Sequence, residues 1–256
     1  MGADPHAYLL TTALPKDVGE DWLMAFAQAL GEDQKRFGGH LIGGDSIRTQ
    51  GAITLSLTAL GFAPKGQLMR RKARHAPTVA QPLSIYVSGT IGDSVLGLKL
   101  SQGQSWPELS KEDEAYLKQR HFSPEPRMAV SKAIRSFAKA CIDISDGLVA
   151  DVGHIAEQSN VQAIIHAQNV PLSPAARKLC QKYPDLLETL LTGGEDYELA
   201  FVVERSEESL LSIVSSKVNV PLTKIGALQP GAAGDVQVLD KESRVVPMKY
   251  TGWSHF

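Results

Sequence analysis

Two acidic segments of the sequence have the residue types of a metal site. Asp45 follows a short apolar run at 40–42 and two glycines. Asp143, Ser145 and Asp146 lie within and just after a second apolar run. Carboxylates and a hydroxyl in one short arc suit Mg²⁺, a hard cation that takes oxygen ligands and retains waters and phosphates. Because a carboxylate inside an apolar strand is costly unless it is paired, the combination predicts Asp45, Asp143 and Asp146 as metal ligands.

Each of these residues also has a structural interpretation. Ser145 or Asp146 would make a good helix N-cap, and Asp45 could simply terminate its strand. For any one position alone the structural interpretation is favoured, so the metal site depends on the combination. The basic run at 70–72 is ambiguous in the same way: a solvated linker is favoured, but an arginine could also neutralise a triphosphate.

Two further features could contact a ligand. The turn at 193–198 holds Glu195, which is either part of a polar turn or a carboxylate that faces a cationic ligand. Trp253 could stack on a flat ring, although burial of the tail is slightly favoured. The sequence has no Gly-x-x-x-x-Gly-Lys-Ser/Thr loop, dinucleotide-binding glycine motif or His-Glu-x-x-His motif. If the chain handles ATP, it does so without a P-loop.

The elements that must position these residues alternate between strands and helices, which indicates α/β domains. In the second acidic segment, alternation turns Ile142 and Ile144 to the core, with Cys141, Asp143 and Ser145 on the other side. A basic stretch poor in apolar residues, 64–82, reads as a connection between two domains, at 1–78 and 79–256. Strands are predicted at 7–14, 40–42, 52–62, 83–87, 141–144, 163–166, 197–203, 223–225 and 236–239. Helices are predicted at 20–37, 92–101, 128–140, 147–158, 174–182, 186–191 and 207–215, with a short helix within 101–127.

The composition excludes several classes of protein. Lys and Arg number 26 and Asp and Glu 28, a balance that argues against a nucleic-acid binder. The sequence contains no run of 18 or more apolar residues, the length that a membrane-spanning helix needs. The two cysteines, Cys141 and Cys180, fit a reducing cytoplasm better than a disulfide framework. The first residues have no charged segment followed by an apolar segment, so they do not form a signal peptide.

Four motifs in this order resemble the thiamine-monophosphate kinase family, whose superfamily includes aminoimidazole-ribonucleotide synthetase and selenophosphate synthetase. They are GGDS at 43–46, IDISDGL at 142–148, GGEDYEL at 193–199 and GWSHF at 252–256. Weaker support comes from MGADP at 1–5, SGTIGDS at 88–94 and PEPR at 124–127. The resemblance covers the whole chain, and GGEDYEL is its most specific part.

The resemblance implies phosphorylation of thiamine monophosphate to thiamine diphosphate by in-line transfer from ATP, with several Mg²⁺ ions. Asp45, Asp143 and Asp146 match magnesium ligands. The positions that match ATP contacts are Gly44, Asp45, Arg71 and Ser145, with Arg70 a close rival to Arg71. Glu195 and Trp253 match substrate-binding positions, and a tryptophan ring over the thiamine heterocycle would favour its positive charge. The family also implies a cytoplasmic homodimer where the N-terminal sheet is intact.

The sequence departs from the family pattern at its start, because residues 1–5 match a point well inside the family's first domain. We therefore expect 1–78 to be the remainder of a domain on the ATP and magnesium side, with an unpaired sheet edge and exposed apolar surface. Several of the family's upstream acidic motifs have no counterpart. Two alternatives follow: an impaired pseudoenzyme or fragment that retains nucleotide binding, or a sister ATP-dependent synthetase with another phosphorylated substrate.

Overall fold

The chain forms two compact units in a computed structural model that describes residues 1–248 and 252. The N-terminal unit is Gly2–Leu68, and the C-terminal unit begins at Met69 and also includes Met1. The sequence suggested a boundary near residue 78. The residues just before it run beside the C-terminal sheet, since the Cys141 N–H donates to the Arg70 carbonyl at 2.9 Å. None of the described helices combines the length and the apolar character needed to cross a membrane.

The N-terminal unit is a three-stranded sheet with one helix. Its elements are β1 (Asp4–Leu14), α1 (Glu20–Phe37), β2 (His40–Arg48) and β3 (Thr54–Phe62). β1 is central, parallel to β2 and antiparallel to β3. Acidic residues in the first turn of α1 and basic residues in its last turn complement the helix dipole. The helix ends at Gly38, whose φ of +84° is strained for other residues.

Strand β2 continues beyond the predicted segment 40–42. Asp45 therefore lies inside a strand, and the expectation that it follows or terminates that strand was wrong. The reason is that Gly43 and Gly44 keep the chain paired with β1 and do not turn it. A Cβ on Gly44 would lie 1.7 Å from the carbonyl oxygen of Leu10, so this close approach of two backbones requires glycine.

The C-terminal unit is a six-stranded mixed sheet with helices. The sheet order is β5-β7-β4-β8-β6-β9, and each neighbouring pair is antiparallel except β6 and β9. Its strands are β4 (Leu83–Ser88), β5 (Ala140–Asp143), β6 (Gln162–His166), β7 (Leu199–Val203), β8 (Leu222–Gln229) and β9 (Val236–Leu239). Its helices are α2 (Asp93–Ser101), α3 (Lys111–Phe122), α4 (Met128–Ile134), α5 (Leu148–Ser159), α6 (Pro174–Lys182), α7 (Leu186–Thr192) and α8 (Glu208–Val218).

Both faces of the C-terminal sheet are buried in its central strands. Every residue of β4 and β7 is buried, in agreement with the continuous apolar sequence of β7, whereas β4 also buries Ser84 and Ser88. Ile85 and Val202 belong to the larger core cluster, whereas Tyr86 and Phe201 belong to a second cluster. The predicted pair of α/β domains is confirmed. Helix α4 is shorter than predicted because the chain turns after Ile134 to enter β5.

Candidate functional site

The second acidic segment forms a loop at the end of β5, which we call the acidic loop (residues 143–147). Ile142 and Ile144 are buried in the larger core, as predicted from their alternation. Cys141 is also fully buried, in the second core cluster, because both faces of the sheet are covered. Asp143 and Asp146 are only partly buried. The strand therefore anchors the loop while its carboxylates stay accessible to a ligand.

The backbone of the acidic loop is held by Asp151 on the first turns of α5. The amides of Ser145, Asp146 and Gly147 all donate to Asp151 Oδ2, at 2.9, 3.0 and 3.2 Å. Burial raises the pKa of Asp151 to about 6, although these donors act in the opposite direction. Neither Ser145 nor Asp146 is the N-cap of α5, since that position belongs to Gly147. The structural alternative for these two residues was therefore wrong.

A second segment, the Glu195 turn (residues 193–198), is hydrogen-bonded to the acidic loop. The Glu195 N–H donates to the Ser145 carbonyl at 2.9 Å, and the Tyr197 N–H donates to the Ile144 carbonyl at 2.8 Å. Glu195 and Tyr197 have φ of +67° and +51°, an uncommon conformation held by these bonds. A Cβ on Gly194 would lie 2.2 Å from the Ser145 oxygen, so glycine permits this contact.

The Tyr197 hydroxyl is influenced by three of the predicted site residues. Burial raises the pKa of Tyr197, and the charges of Glu195, Asp143 and Asp146 raise it further. Three acids from two segments therefore act on one phenol. Sequence reasoning did not select Tyr197, although it lies within the most specific motif. Its mixed character, with one end apolar and one end polar, gave no signal that separated it from a surface tyrosine.

Two residues of the Glu195 turn, Asp196 and Glu198, belong to a buried polar and ionic cluster. Glu198 accepts hydrogen bonds from Arg120 at 2.8 Å, from Ser88 at 2.6 Å and from two nitrogens of Arg127 at 2.6 and 2.5 Å. Asp196 accepts from two amides at the start of α2, and burial raises its pKa to about 7. This cluster could not be predicted from sequence, because the partners of Glu198 lie 71 to 110 positions away from it in the chain. It anchors the turn from which Glu195 emerges.

The Glu195 side chain is 56% exposed and lies beside His121, which would carry the opposite charge when protonated. Its Oε2 lies 3.4 Å from His121 Nδ1, and the same nitrogen is 3.1 Å from the Ser94 hydroxyl. The carboxylate is thus oriented on one side and open to solvent on the other. This geometry allows Glu195 to attract a cationic group.

The other predicted residues lie elsewhere in the chain. Gly44 and Asp45 belong to the N-terminal unit, where Asp45 is exposed and accepts the Ser46 N–H at 2.8 Å. Arg70 and Arg71 are exposed and lie in the segment beside β5. Trp253 lies outside the described residues. Its neighbour Gly252 is described, and a Cβ on it would lie 3.0 Å from the Asp146 carbonyl oxygen, beside the acidic loop.

One group of potential metal ligands occurs among residues 1–248 and 252. It consists of Asp146, Asp151 and His154, whose ligating atoms lie within 4.8 Å of one another. Of the predicted ligands, only Asp146 belongs to it. Asp143 precedes it in the same loop, and Asp45 is described only within the N-terminal unit.

Comparison with known proteins identifies the class of this fold. Residues 1–63 match the family model of the AIR synthase related protein N-terminal domain, and residues 83–239 match that of its C-terminal domain. A solved thiamine-monophosphate kinase from Stenotrophomonas maltophilia K279a superposes with a TM-score of 0.84 at 35% identity, covering 96% of this chain and 74% of that one. The chain therefore has the α/β architecture of the AIR synthase related proteins, as predicted.

Two further relatives narrow the assignment. Thiamine-monophosphate kinase of Escherichia coli K12 is 36% identical over 257 residues, covering all of this chain and 75% of the relative. A solved structure described as AaThiL complexed with AMPPCP and TMP is 30% identical, with a TM-score of 0.81, and covers all of this chain and 75% of that one. The chain belongs to the thiamine-monophosphate kinase family, and the family resemblance drawn from its motifs is confirmed.

Proposed function

We propose that the chain transfers the terminal phosphate of ATP to thiamine monophosphate, which yields thiamine diphosphate and ADP. The observation that carries the proposal is the direct hydrogen bonding between the acidic loop and the Glu195 turn. It joins the predicted nucleotide and metal residues of one segment to the predicted substrate residue of the other. The similarity to thiamine-monophosphate kinases, one of them solved with AMPPCP, an ATP analogue, and TMP, supports the same reaction.

The nucleotide and the substrate have separate proposed contacts. Gly44, Asp45, Ser145 and Arg71 would contact ATP, with Arg70 as the alternative arginine. Glu195 and Trp253 would contact thiamine monophosphate. An accessible carboxylate can reach the thiazolium cation, and the attraction between the two charges strengthens when the bound cation displaces the water between them. A tryptophan ring would add stacking and a cation–π contribution.

Asp45, Asp143 and Asp146 are the proposed ligands of several Mg²⁺ ions. The donor set fits, because partly exposed carboxylates supply the oxygen ligands that this cation prefers. When bound, Mg²⁺ would neutralise phosphate charge and orient the phosphates. Asp151 fits less well, since one of its oxygens already accepts three amide hydrogen bonds. His154 offers an imidazole, which suits transition metals better than Mg²⁺.

The proposed transfer needs no protein nucleophile. A phosphate oxygen of thiamine monophosphate attacks the γ-phosphorus of ATP in line, and the bond from that phosphorus to the bridging oxygen of ADP breaks. The residues of the acidic loop and the Glu195 turn act by holding the two substrates and balancing charge. Hydrogen bonds within the chain hold the backbone of both segments, which limits the reorganisation that the transfer requires.

A direct assay tests the proposal. The purified chain is incubated with ATP, Mg²⁺ and thiamine monophosphate, and thiamine diphosphate and ADP are separated by chromatography. We expect both products to form in equal amounts. Binding of ATP and thiamine monophosphate without product would favour the pseudoenzyme alternative. Preferential thermal stabilisation by a different phosphorylated substrate would favour the sister synthetase.

The proposal includes a cytoplasmic location and, where the N-terminal sheet is intact, a homodimer formed through that sheet. Strands β2 and β3 expose apolar side chains in the isolated chain, among them Leu55 and Leu57. A second copy would cover such a surface, since exposed apolar patches commonly mark interfaces. Light scattering should give twice the chain mass of 27.6 kDa, and a monomer would exclude the dimer. Both cysteines are unpaired, which agrees with a reducing compartment.

A further inference from the structure

Three consecutive amides of the acidic loop point to a single oxygen atom. The N–H groups of Ser145, Asp146 and Gly147 converge on Asp151 Oδ2 within 2.9–3.2 Å. Asp151 is 1% exposed, so water does not compete for these bonds. Its own N–H donates to the Gly147 carbonyl at 2.9 Å, which closes the first turn of α5. The side chain therefore reaches back over the helix start to the loop before it.

Convergent backbone amides form a nest that binds anions. The start of a helix strengthens this preference, because its unpaired N–H groups carry partial positive charge. In a glycine-rich phosphate loop, an oxygen of the ligand occupies such a nest. In the acidic loop the chain's own carboxylate occupies it. The amides of residues 145–147 are consequently already hydrogen-bonded, and a ligand would be bound by other groups of the loop, among them its side chains.

We propose that Asp151 is a positioning residue, whose carboxylate fills the anion nest of the acidic loop and thereby sets the directions of the Ser145 and Asp146 side chains. The backbone of the acidic loop is held through both its N–H groups and a carbonyl group. Asp151 binds its N–H groups, and the Glu195 N–H binds the Ser145 carbonyl at 2.9 Å. What Ser145 and Asp146 bind rests on the proposed function, but the role of Asp151 in holding them does not.

The nest also explains why the loop can keep its side chains partly exposed without becoming irregular. Three N–H groups that would otherwise lack partners near a buried helix start are satisfied by one acceptor. Hydrogen bonds to a charged acceptor are stronger than those to a neutral one. The consequence is a fixed backbone under two residues that must face solvent.

Amide hydrogen exchange of the full chain, without any ligand, tests the proposal. In Asp151→Ala, the amides of residues 145–147 should exchange about 10- to 100-fold faster than in wild type. Asp151→Asn keeps one acceptor oxygen and should restore protection to within about tenfold. Glu157→Gln, on the exposed side of the same helix, is the matched control and should leave the loop unchanged. Added formate should partly restore protection in Asp151→Ala, because a small carboxylate can re-enter the emptied nest.

Kinetics supply a second readout. Asp151→Ala should raise the KM for ATP by about tenfold and leave the KM for thiamine monophosphate within about twofold, since the Glu195 side chain is held separately. Unchanged exchange at 145–147 in Asp151→Ala would overturn the proposal. Equally faster amide exchange across β5, α5 and the loop in Asp151→Ala and Asp151→Asn would also overturn it, because Asp151 would then stabilise the whole region and not the loop alone. If wild type forms no thiamine diphosphate, the proposed function fails and the exchange experiment still decides the role of Asp151.

Discussion

The sheets of the two units differ in how far their strands are buried. In the C-terminal unit, every residue of β4 and β7 is buried between two core clusters. In the N-terminal unit, every residue of β2 and β3 is exposed. Leu228 on β8 is 0% exposed, whereas Leu57 on β3 is 53% exposed. Alternating or continuous apolar sequences thus predict strands in both units, but they do not predict which strands have a core.

The two acidic segments follow the same division. Asp45 lies on an open strand, and its carboxylate accepts the N–H of the next residue. The acidic loop instead extends from a buried strand and is held by Asp151 and by the Glu195 turn. The two acidic segments are similar in sequence, but they differ in the hydrogen bonds that hold them. The C-terminal motif is pre-organised by the unit that contains it, and this difference can be tested by substitution.

The largest effect is expected from Asp143→Asn in the acidic loop. Removing one charge from a pre-organised site should lower kcat by about 100- to 1000-fold. Stability should change by less than about 0.5 kcal/mol, because Asp143 is partly exposed. Steady-state kinetics and a denaturant titration measure the two quantities.

The Asp143 experiment has two companions. The exposed Asp185→Asn, far along the chain on the approach to α7, should leave kcat unchanged. Asp45→Asn should also lower kcat, by a similar factor, if both segments contribute ligands. An active Asp45→Asn variant would confine the chemistry to the C-terminal segment. Full activity of Asp143→Asn would contradict the proposed metal role of the acidic loop.

The next effect compares the two sheets by one chemical change. Leu228→Ala removes a fully buried side chain from the larger core and should cost about 2–5 kcal/mol. Leu57→Ala removes a side chain that is half exposed in the single chain, and it should cost less than about 1 kcal/mol at protein concentrations low enough to dissociate the proposed dimer. Urea unfolding followed by circular dichroism measures both. Equal losses would show that Leu57 is covered in solution, as a dimer through this sheet would require.

A pH dependence is expected from Asp196, whose carboxyl group is fully buried. Burial raises its pKa to about 7, above its ordinary value of 3.8. Between these values the folded chain keeps a proton that the unfolded chain has lost. Stability from this group is therefore greatest at the acidic end of the window and decreases as pH rises to about 7. At roughly 1.4 kcal/mol for each pKa unit, the rise from 3.8 to about 7 amounts to about 4 kcal/mol.

The variant Asp196→Asn isolates this contribution, because asparagine does not titrate. The unfolding free energies of wild type and variant are measured from about pH 4 to pH 8. We expect their difference to move in favour of the variant as pH rises, and to become constant above about pH 7. A difference that does not vary with pH would mean that the two amides of α2 keep Asp196 ionised throughout.

The order of elements was largely predictable from sequence, because periodicity and turn residues act locally. Helix α1 and strand β9 have the predicted bounds. The errors occurred where distant contacts decide the outcome. Gly43 and Gly44 are turn residues by type, but pairing with β1 keeps them in a strand. Helix α4 ends early because the sheet requires β5 at residue 140.

Within the candidate site, sequence signals occur only at residues with accessible side chains. Asp143, Ser145, Asp146 and Glu195 carry motif signals that can be read along the chain. The residues that support them do not, since Arg120 and Glu198 are joined across 78 positions. Asp151 is closer, but an acidic residue in the first turns of a helix has an ordinary explanation in the helix dipole. Its three convergent bonds exist only in three dimensions.

The smallest predicted effect asks whether the two sheets also open independently. Gly31 lies within α1, and a Cβ there meets nothing within 4 Å, so Gly31→Ala should stabilise the helix by about 0.5–1 kcal/mol. If the N-terminal unit unfolds locally, exchange of amides in α1 and β1 should slow by about two- to fivefold, with β4 and β7 unchanged. Gly44→Ala is the opposing control, since its clash with Leu10 should accelerate the same amides. Equal slowing in both units would mean that they unfold together. The two sheets would then differ in burial but not in the free energy of opening, because both would open in the same step.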